Sequence, residues 1–97
     1  SGPPMFVGIV RIELHLPASR SLKDKRSVVR SLKERIRQRV QAAVAEVDHQ
    51  DLWQRAAIGV AVVSGDRQQV DEKLQSVRRL VEGTYEAELL DWQEQTQ

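Results

Sequence analysis

The stretch that decides the fold is residues 41–64, QAAVAEVDHQDLWQRAAIGVAVVS. It contains two runs rich in valine, isoleucine and alanine, QAAVAEVD and QRAAIGVAVVS, and such runs are typical of β-strands. The segment between them, from His49 to Trp53, predicts a short turn. Residues 41–64 are therefore predicted to form a strand hairpin in the middle of the chain.

The segment before the hairpin predicts one strand and one helix. In MFVGIVRIELHLP, residues 5–17, apolar residues alternate, which indicates a long strand that ends at Pro17. Ser21 and Asp24 have the spacing of a capping box, which marks the start of a helix. The apolar side of that helix is predicted to consist of Leu22, Val29, Leu32, Ile36 and Val40.

The segment after the hairpin predicts a second helix and a last strand. Asp66 is expected to cap the helix, which stops at Gly83. Its apolar residues recur with helical spacing and are Val70, Leu74, Val77 and Val81. TYEAELLDWQ, residues 84–93, predicts the strand, and EQTQ, residues 94–97, predicts a frayed end.

The resulting order, βαββαβ, predicts an α+β fold of the ferredoxin-like type. Right-handed crossovers place both helices on one face of a four-stranded antiparallel sheet and leave the other face uncovered. The third strand is expected between the first and the second, and the fourth beside the first. We expect a single domain over residues 5–97, with SGPP at residues 1–4 as a remnant of an expression vector.

Composition limits the compartment and the chemistry. The chain has 97 residues and no cysteine, which excludes disulfides and thiolate metal sites and favours a reducing cytoplasm. Its longest apolar run, AAIGVAVV, is too short to cross a bilayer, so we expect no membrane partner. Asparagine is absent and the loop LPASRSL contains no glycine, so acylphosphatase-like chemistry, which relies on both, is not expected.

The hairpin turn concentrates the polar residues Asp48, His49 and Asp51 close to Trp53. Histidine and carboxylate side chains could supply a metal site or general acid–base chemistry. However, the chain has no HExxH-type helical ligand spacing, and no nucleophile or oxyanion loop accompanies the histidine. We therefore expect no catalytic residue, no metal and no cofactor, and interpret the aspartates as bonding the turn's own backbone amides.

Charge is distributed unevenly, although the net charge is only +1. Residues 20–40 carry nine of the fifteen lysines and arginines against two acids, whereas the segment from Glu82 onward carries five acids and no base. On the first helix, basic residues recur along one stripe beside the apolar side, which suits a nucleic-acid backbone but is also typical of a solvated helix. The predicted nucleic-acid contacts are Lys23, Lys25, Arg26, Arg30, Lys33 and Arg37.

The uncovered sheet face is predicted to be charged at one end and apolar at the other. At the charged end, Arg55 is expected to have an acidic or histidine neighbour on each side. On the first strand this neighbour is either Glu13 or His15, and on the second strand it is either Glu46 or Asp48. The central strands offer no aromatic residue there, so stacking of RNA bases on the sheet is not expected. At the apolar end we expect a homodimer interface, unless residues 90–97 cover this face within one chain. The predicted interface residues are Val7, Ile9, Val63, Leu90 and Trp92.

Two motifs carry a family resemblance. SLKDKRSVVRSLKERIR, residues 21–37, followed by VAEVDHQDLWQRAAIGVAVVS, residues 44–64, resembles the YlxP-like family of small bacterial proteins. The likeness extends from Met5 to Leu90 and implies a ferredoxin-like fold. It also implies a link to translation, because genes of this family commonly lie beside translation and ribosome-maturation genes. It assigns no catalytic residue.

These observations lead to three functional hypotheses. The leading one is a non-enzymatic binding module that contacts RNA or a ribosomal partner through the basic helix and the adjacent turn. In that hypothesis the partner or specificity contacts are His49, Gln50, Trp53 and Arg55. The alternative is a small-molecule-binding regulatory domain with its ligand at the turn or at the dimer interface. The third is an interaction domain for an acidic protein, which would use the same helix.

Overall fold

The computed structural model describes residues 4–97, so residues 1–3 of the predicted vector remnant lie outside the described part. Six elements follow one another in the order β1, α1, β2, β3, α2 and β4. They span Phe6–His15, Leu22–Val40, Ala43–Asp48, Arg55–Ser64, Arg67–Glu82 and Glu88–Thr96, respectively. The predicted βαββαβ order is confirmed, and the elements form a ferredoxin-like α+β fold.

The four strands form one sheet in the order β2-β3-β1-β4, and each neighbouring pair is antiparallel. β1 and β3 pair over their full length, from Phe6 opposite Ser64 to His15 opposite Arg55. Alternate residues of β1, such as Ile12, are completely buried beneath the helices. The residues between them point to the side that the helices leave uncovered, which is called the open face below.

The hydrophobic core lies between the helices and the sheet. The apolar stripe of α2 is buried as predicted, and so is the apolar side of α1 except at Leu22, which is half-buried. Lys25, one turn before Val29, is completely buried. Across residues 4–97, no helix has the length and apolarity needed to span a bilayer.

Both predicted helix starts are confirmed by side-chain caps. The hydroxyl of Ser21 accepts a hydrogen bond from the amide of Asp24 at 3.0 Å, and the carboxylate of Asp66 accepts one from the amide of Gln68 at 2.9 Å. At its other end, α1 stops at Gln41, which adopts a left-handed conformation with φ 53°. α2 stops at Gly83, as predicted.

The last strand differs from the prediction in length. β4 runs to Thr96, so residues 94–97 are not a frayed end. Beyond it, Gln97 exchanges two backbone hydrogen bonds with Val7, at 2.8 and 2.9 Å. The pairing explains the difference, because β1 starts early enough to offer partners to every residue of this polar segment. Residues 90–97 therefore extend the sheet edge and do not fold over the open face.

Two β-bulges change which face several side chains occupy. In β4, Leu89 lies opposite Leu14 but Asp91 lies opposite Glu13, so Leu90 is an extra residue in this strand. Trp92 consequently lies opposite Ile12, on the helix side of the sheet. The prediction that Trp92 belongs to the open face is wrong, because the extra residue reverses the alternation on which it depended.

The indole of Trp92 packs against α2 and the core. The guanidinium of Arg78 lies over the ring, 5.3 Å from its centroid, and the indole nitrogen donates a hydrogen bond to Glu94 at 2.8 Å. Since both the face and the polar atom of the ring are engaged, Trp92 cannot anchor an interface on the opposite face of the sheet.

Candidate functional site

The buried ammonium of Lys25 joins the start of α1 to the β2–β3 turn. It donates hydrogen bonds to the carbonyl oxygens of His49 and Gln50, at 2.7 and 3.1 Å. It also lies 3.0 Å from a carboxylate oxygen of Glu46, an ion pair whose angle falls outside hydrogen-bond geometry. The Lys25 side chain is completely buried, and its ammonium bonds only groups of the protein itself, so it is not accessible to a nucleic acid. The prediction that Lys25 contacts nucleic acid is therefore wrong.

The turn itself is held by its own backbone. The carboxylate of Asp48 accepts a hydrogen bond from the amide of His49 at 2.8 Å, and the carbonyl of His49 accepts one from the amide of Leu52 at 3.0 Å. His49 has a φ of 62°, in the left-handed region that most non-glycine residues avoid. Lys25 and Asp48 thus hold His49 in an uncommon conformation that points its ring toward β1.

On the open face, Glu13 is the centre of a charged cluster that β1, β3 and the end of β2 build together. Its carboxylate accepts hydrogen bonds from Arg11 at 2.8 Å and from Arg55 at 3.1 Å, and it lies 3.0 Å from Nε2 of His49. Arg11 also bonds Asp48 at 3.1 Å. These five residues are called the Glu13 cluster below.

A β-bulge in β2, between Glu46 and Asp48, decides which of the predicted neighbours of Arg55 lie on the open face. Arg55 contacts Glu13 as expected, and Asp48 lies on the open face as one of the two expected alternatives. Glu46 lies opposite Ile58 on the helix side, where it meets Lys25. The extra residue between Glu46 and Asp48 places these two acids on opposite faces despite their even spacing.

The contacts within the Glu13 cluster shift the pKa values of Glu13, Asp48 and Arg11 toward their charged forms. Burial raises the pKa of Glu13, but the hydrogen bonds from Arg11, Arg55 and His49 outweigh burial and hold that pKa below its ordinary value. The amide of His49, followed by the Arg11 guanidinium, lowers the pKa of Asp48. The same bonds to Glu13 and Asp48 raise the pKa of Arg11. The cluster is thus a neutralised ionic network at neutral pH.

The two histidines of the chain both lie at this end of the sheet, and each has a carboxylate partner. His15 lies 3.1 Å from Glu88 on β4, and His49 is engaged with Glu13, so each histidine faces a carboxylate. Within residues 4–97, no group of three or more histidine and acidic side chains has the geometry to hold a metal ion. The arrangement joins strands and orients the turn.

The other predicted contact residues of the turn are more accessible. Gln50 is exposed, and Trp53 has 54% of its surface exposed. Gln54 anchors the turn to the loop before α1, since its amide donates to the carbonyls of Pro17 and Ser19 at 3.2 Å each. Gln50 and Trp53 therefore stand on a fixed turn beside the first residues of α1, with their side chains available to a partner.

The basic side chains of α1 divide into engaged and free ones. Besides Lys25, Arg37 is engaged, because it donates to the carbonyl of Val44 at 3.1 Å and to Glu34 at 3.4 Å. The four remaining predicted contacts form no salt bridge within residues 4–97. These four are called the basic stripe below and are Lys23, Arg26, Arg30 and Lys33, of which only Lys33 is half-buried.

The open face also has an apolar patch next to the Glu13 cluster. A groove of about 540 Å³ runs across β1, β3 and β2 there. The residues that line the groove and belong to the patch are Ile9, Ala43, Ala45, Val47, Gly59 and Ala61. The patch continues to Val7 and Val63, which lie opposite each other near the start of β1 and the end of β3. Leu90 lies outside it, at the β4 bulge beside Asp91. The contribution of β2 was missed because only the pairing register brings Ala43 opposite Ala61.

Comparisons with known proteins agree with this fold. Residues 7–94 match the protein family described as "Protein of unknown function (DUF503)". The Bacillus subtilis (strain 168) protein described as "Uncharacterized protein YlxP" is 32% identical over 83 residues, which are 86% of this chain and 90% of that protein. The solved structure of the de novo designed protein Foldit4 covers 96% of both chains with a TM-score of 0.58, and at 12% identity that likeness shows the fold alone. The match over nearly all of the chain places this protein in the DUF503 family, in agreement with its resemblance to YlxP-like proteins.

Proposed function

We propose that this protein is a non-enzymatic, cytoplasmic binding module that contacts RNA through the basic stripe of α1. The observation that carries the proposal is that four basic side chains without acidic partners recur with helical spacing along one side of α1 within residues 4–97. Six other cations are also outside salt bridges in this part of the chain, but they do not follow one another along a single helix stripe; they are Arg20, Arg35, Arg39, Arg67, Lys73 and Arg79. Unpaired cations along one helix attract a polyanion, and the counterions released on binding favour association.

The length of the stripe suits contacts with successive phosphates. Lys23 and Lys33 are ten residues apart, which corresponds to about 15 Å along a helix. Arg26 and Arg30 lie between them, one helical turn apart. Arginine and lysine side chains from one helix can reach several phosphates of one strand over this distance, without reading the base sequence.

The turn next to the stripe supplies candidates for base contacts. Lys25 fixes the turn to the first turn of α1, the same end of the helix at which Lys23 begins the basic stripe. An exposed indole can stack on an unpaired base, and a glutamine amide can bond base edges. His49 and Arg55 are engaged with Glu13, so they position the turn and leave direct contact to Gln50 and Trp53.

The open face offers no stacking platform that would compete with this surface. In β1 and β3, the residues directed to the open face include no Phe, Tyr or Trp, and Phe6 packs against the core. RNA-binding sheets of this architecture stack bases on such aromatic side chains. The link to translation implied by the YlxP-like resemblance further favours RNA or a ribosomal assembly as the partner over an acidic protein.

Binding to labelled RNA tests this proposal. Fluorescence anisotropy of the tag-free protein would be measured with a structured and a single-stranded RNA between roughly 50 and 200 mM salt, a range over which phosphate contacts weaken strongly. We expect Arg26→Glu/Arg30→Glu to abolish binding. The matched control is Arg67→Glu/Arg79→Glu, which changes two exposed arginines of α2 and alters the net charge equally.

The outcomes are distinct. Salt-dependent binding that survives the α2 control but not the α1 variant, and that weakens in Trp53→Ala, supports the proposal. Equal loss in both charge-reversal variants would mean that net charge, and not the stripe, drives association. No binding at low salt would overturn the proposal and turn the search toward a protein partner of the same helix.

A further inference from the structure

We infer that the apolar patch of the open face is the interface of a homodimer, in which a second copy of the chain docks by the same patch. The patch combines large and small side chains. Three large and exposed side chains form its rim, namely Ile9, Val47 and Val63, with 42%, 45% and 54% of their surfaces exposed. The smaller residues between them form its floor; Ala43 and Ala45 are also exposed, and Gly59 and Ala61 are half-buried.

The strand register creates this shape. Ala43, Ala61 and Ile9 lie side by side across three strands, and Ala45, Gly59 and Arg11 form the next row. Gly59 is required for the rim, because a Cβ at this position would lie 2.9 Å from Cγ1 of Val47. Val47 can therefore lean over β3 and form one wall of the groove, while Ile9 forms the other.

The presence of both a rim and a floor in one patch points to a second copy as the occupant. Two sheets packed face to face lie about 10 Å apart, a gap that alanine and glycine side chains from both sides do not fill. A two-fold axis near the patch would bring the rim of each copy over the floor of the other. One surface would then supply both halves of a close-packed contact.

The borders of the patch fit a protein interface better than a small-molecule site. A ligand pocket needs convergent polar groups that orient the ligand. The only charged side chain along this groove is Arg11, whose guanidinium already bonds Glu13 and Asp48. On the β4 side, Gln93 and Gln95 lie opposite Arg11 and Ile9, which gives the apolar patch a polar border of the kind that surrounds subunit interfaces.

The dimer is independent of the proposed RNA surface, because the basic stripe lies on a helix that packs against the other face of the sheet. Either proposal can therefore fail without affecting the other. If both hold, the dimer carries two basic stripes, one on each of its two outer sides.

Sedimentation of the tag-free full chain tests the inference. Equilibrium ultracentrifugation from about 1 to about 200 µM would detect a dissociation constant in the micromolar range. Ile9→Glu/Val63→Glu places charge on the rim and should weaken the dimer at least about tenfold, or by about 1.4 kcal/mol. The matched control, Leu52→Glu/Tyr85→Glu, changes two exposed apolar side chains outside the patch and should leave the dimer unchanged.

A variant of the floor separates a shaped interface from general stickiness. Ala61→Phe makes the patch more apolar but fills the space that the partner's rim would occupy, so we expect it to weaken the dimer. Stronger association of Ala61→Phe would overturn the inference, as would a monomer at all concentrations or a dimer that persists in Ile9→Glu/Val63→Glu. The altered rim side chains are about half exposed, so urea unfolding is expected to show a folded chain in each case.

Discussion

The ammonium of Lys25 lies 2.7 Å from the carbonyl oxygen of His49, so the first turn of α1 directly supports the β2–β3 turn. The two residues are 24 positions apart and belong to the two motifs that resemble the YlxP-like family. Through this bond and the ion pair with Glu46, the basic helix and the turn form one rigid surface. A contact surface that spans both elements needs this coupling.

Replacing Lys25 with methionine is expected to destabilise the protein by about 3 kcal/mol, because Glu46 would be left as a largely buried, uncompensated charge. Urea unfolding monitored by circular dichroism would measure the change. Lys23→Met, two residues earlier and exposed, should change stability by less than about 0.5 kcal/mol.

A second variant separates the charge from the hydrogen bonds to the turn. Lys25→Met/Glu46→Leu removes both charges and should recover a large part of the stability lost in Lys25→Met. If the single and the double variant were equally unstable, the turn carbonyls and not the ion pair would dominate the role of Lys25.

The contribution of Glu13 to stability should depend on pH. Its folded-state pKa lies below the ordinary value of 4.5, so the contribution is fully present above that pH and is lost as the pH falls through the folded-state pKa. We expect Glu13→Gln to cost about 1 to 3 kcal/mol at pH 7, since hydrogen bonds to a charged acceptor are lost. The difference from wild type should shrink below pH 4.5.

Urea unfolding of both proteins between about pH 3 and pH 7 measures this difference. Glu82→Gln is a suitable comparison, because Glu82 forms an exposed pair with Arg78 at 3.5 Å and should contribute less than about 1 kcal/mol. A constant difference between wild type and Glu13→Gln across the whole pH range would show that the carboxylate charge is unimportant.

Adding a methyl group at Gly8 is expected to destabilise the core. A Cβ there would collide with Cγ1 of Val70 and lie 2.9 Å from Cδ1 of Leu74, both on α2. We expect Gly8→Ala to cost about 1 to 3 kcal/mol by forcing α2 away from β1. Thermal unfolding of the variants and the wild type measures the change in stability. The control is Gly65→Ala, whose Cβ would meet only the Pro4 carbonyl at 3.8 Å and whose stability should stay within about 0.5 kcal/mol of the wild type.

The left-handed residue at the end of α1 offers a stabilising change. Gln41 has φ 53° and ψ 49°, a conformation that glycine adopts without steric cost. Gln41→Gly should therefore raise stability by up to about 1 kcal/mol, seen as a higher melting temperature. Gln38→Gly, in the exposed interior of the same helix, should lower stability by about 0.5 to 1 kcal/mol. Destabilisation in both variants would contradict a helix cap at Gln41.

Much of the fold was predictable because its signals are local. The caps at Ser21 and Asp66 and the stop at Gly83 lie within a few residues of the apolar periodicities that they delimit. The prediction failed at residues 94–97, whose polar sequence carries no strand signal. Their β-structure comes from pairing with β1, which supplies partners wherever its own strand extends.

The candidate site was only partly predictable for the same reason. Helical spacing identified the basic stripe, and the predicted strand order placed Arg55 beside Glu13. Helical spacing also puts Lys25 close to the apolar side of α1, but it does not reveal the partners that a buried ammonium needs. Lys25 lies on the inward side of α1 with Val29. Its charge can be buried there because the tertiary structure brings Glu46 and the carbonyls of His49 and Gln50 within bonding distance of the ammonium.

The sequence by itself determined the order of elements, the sheet topology and the stripe of basic residues, because periodicity, caps and chain handedness act over short distances. Only the tertiary structure decided the faces of Glu46, Asp48 and Trp92. Each depends on a bulge in which one extra residue reverses the alternation of a strand. A bulge is selected by the packing of neighbouring strands, and the strand's own residues carry no pattern that reveals it.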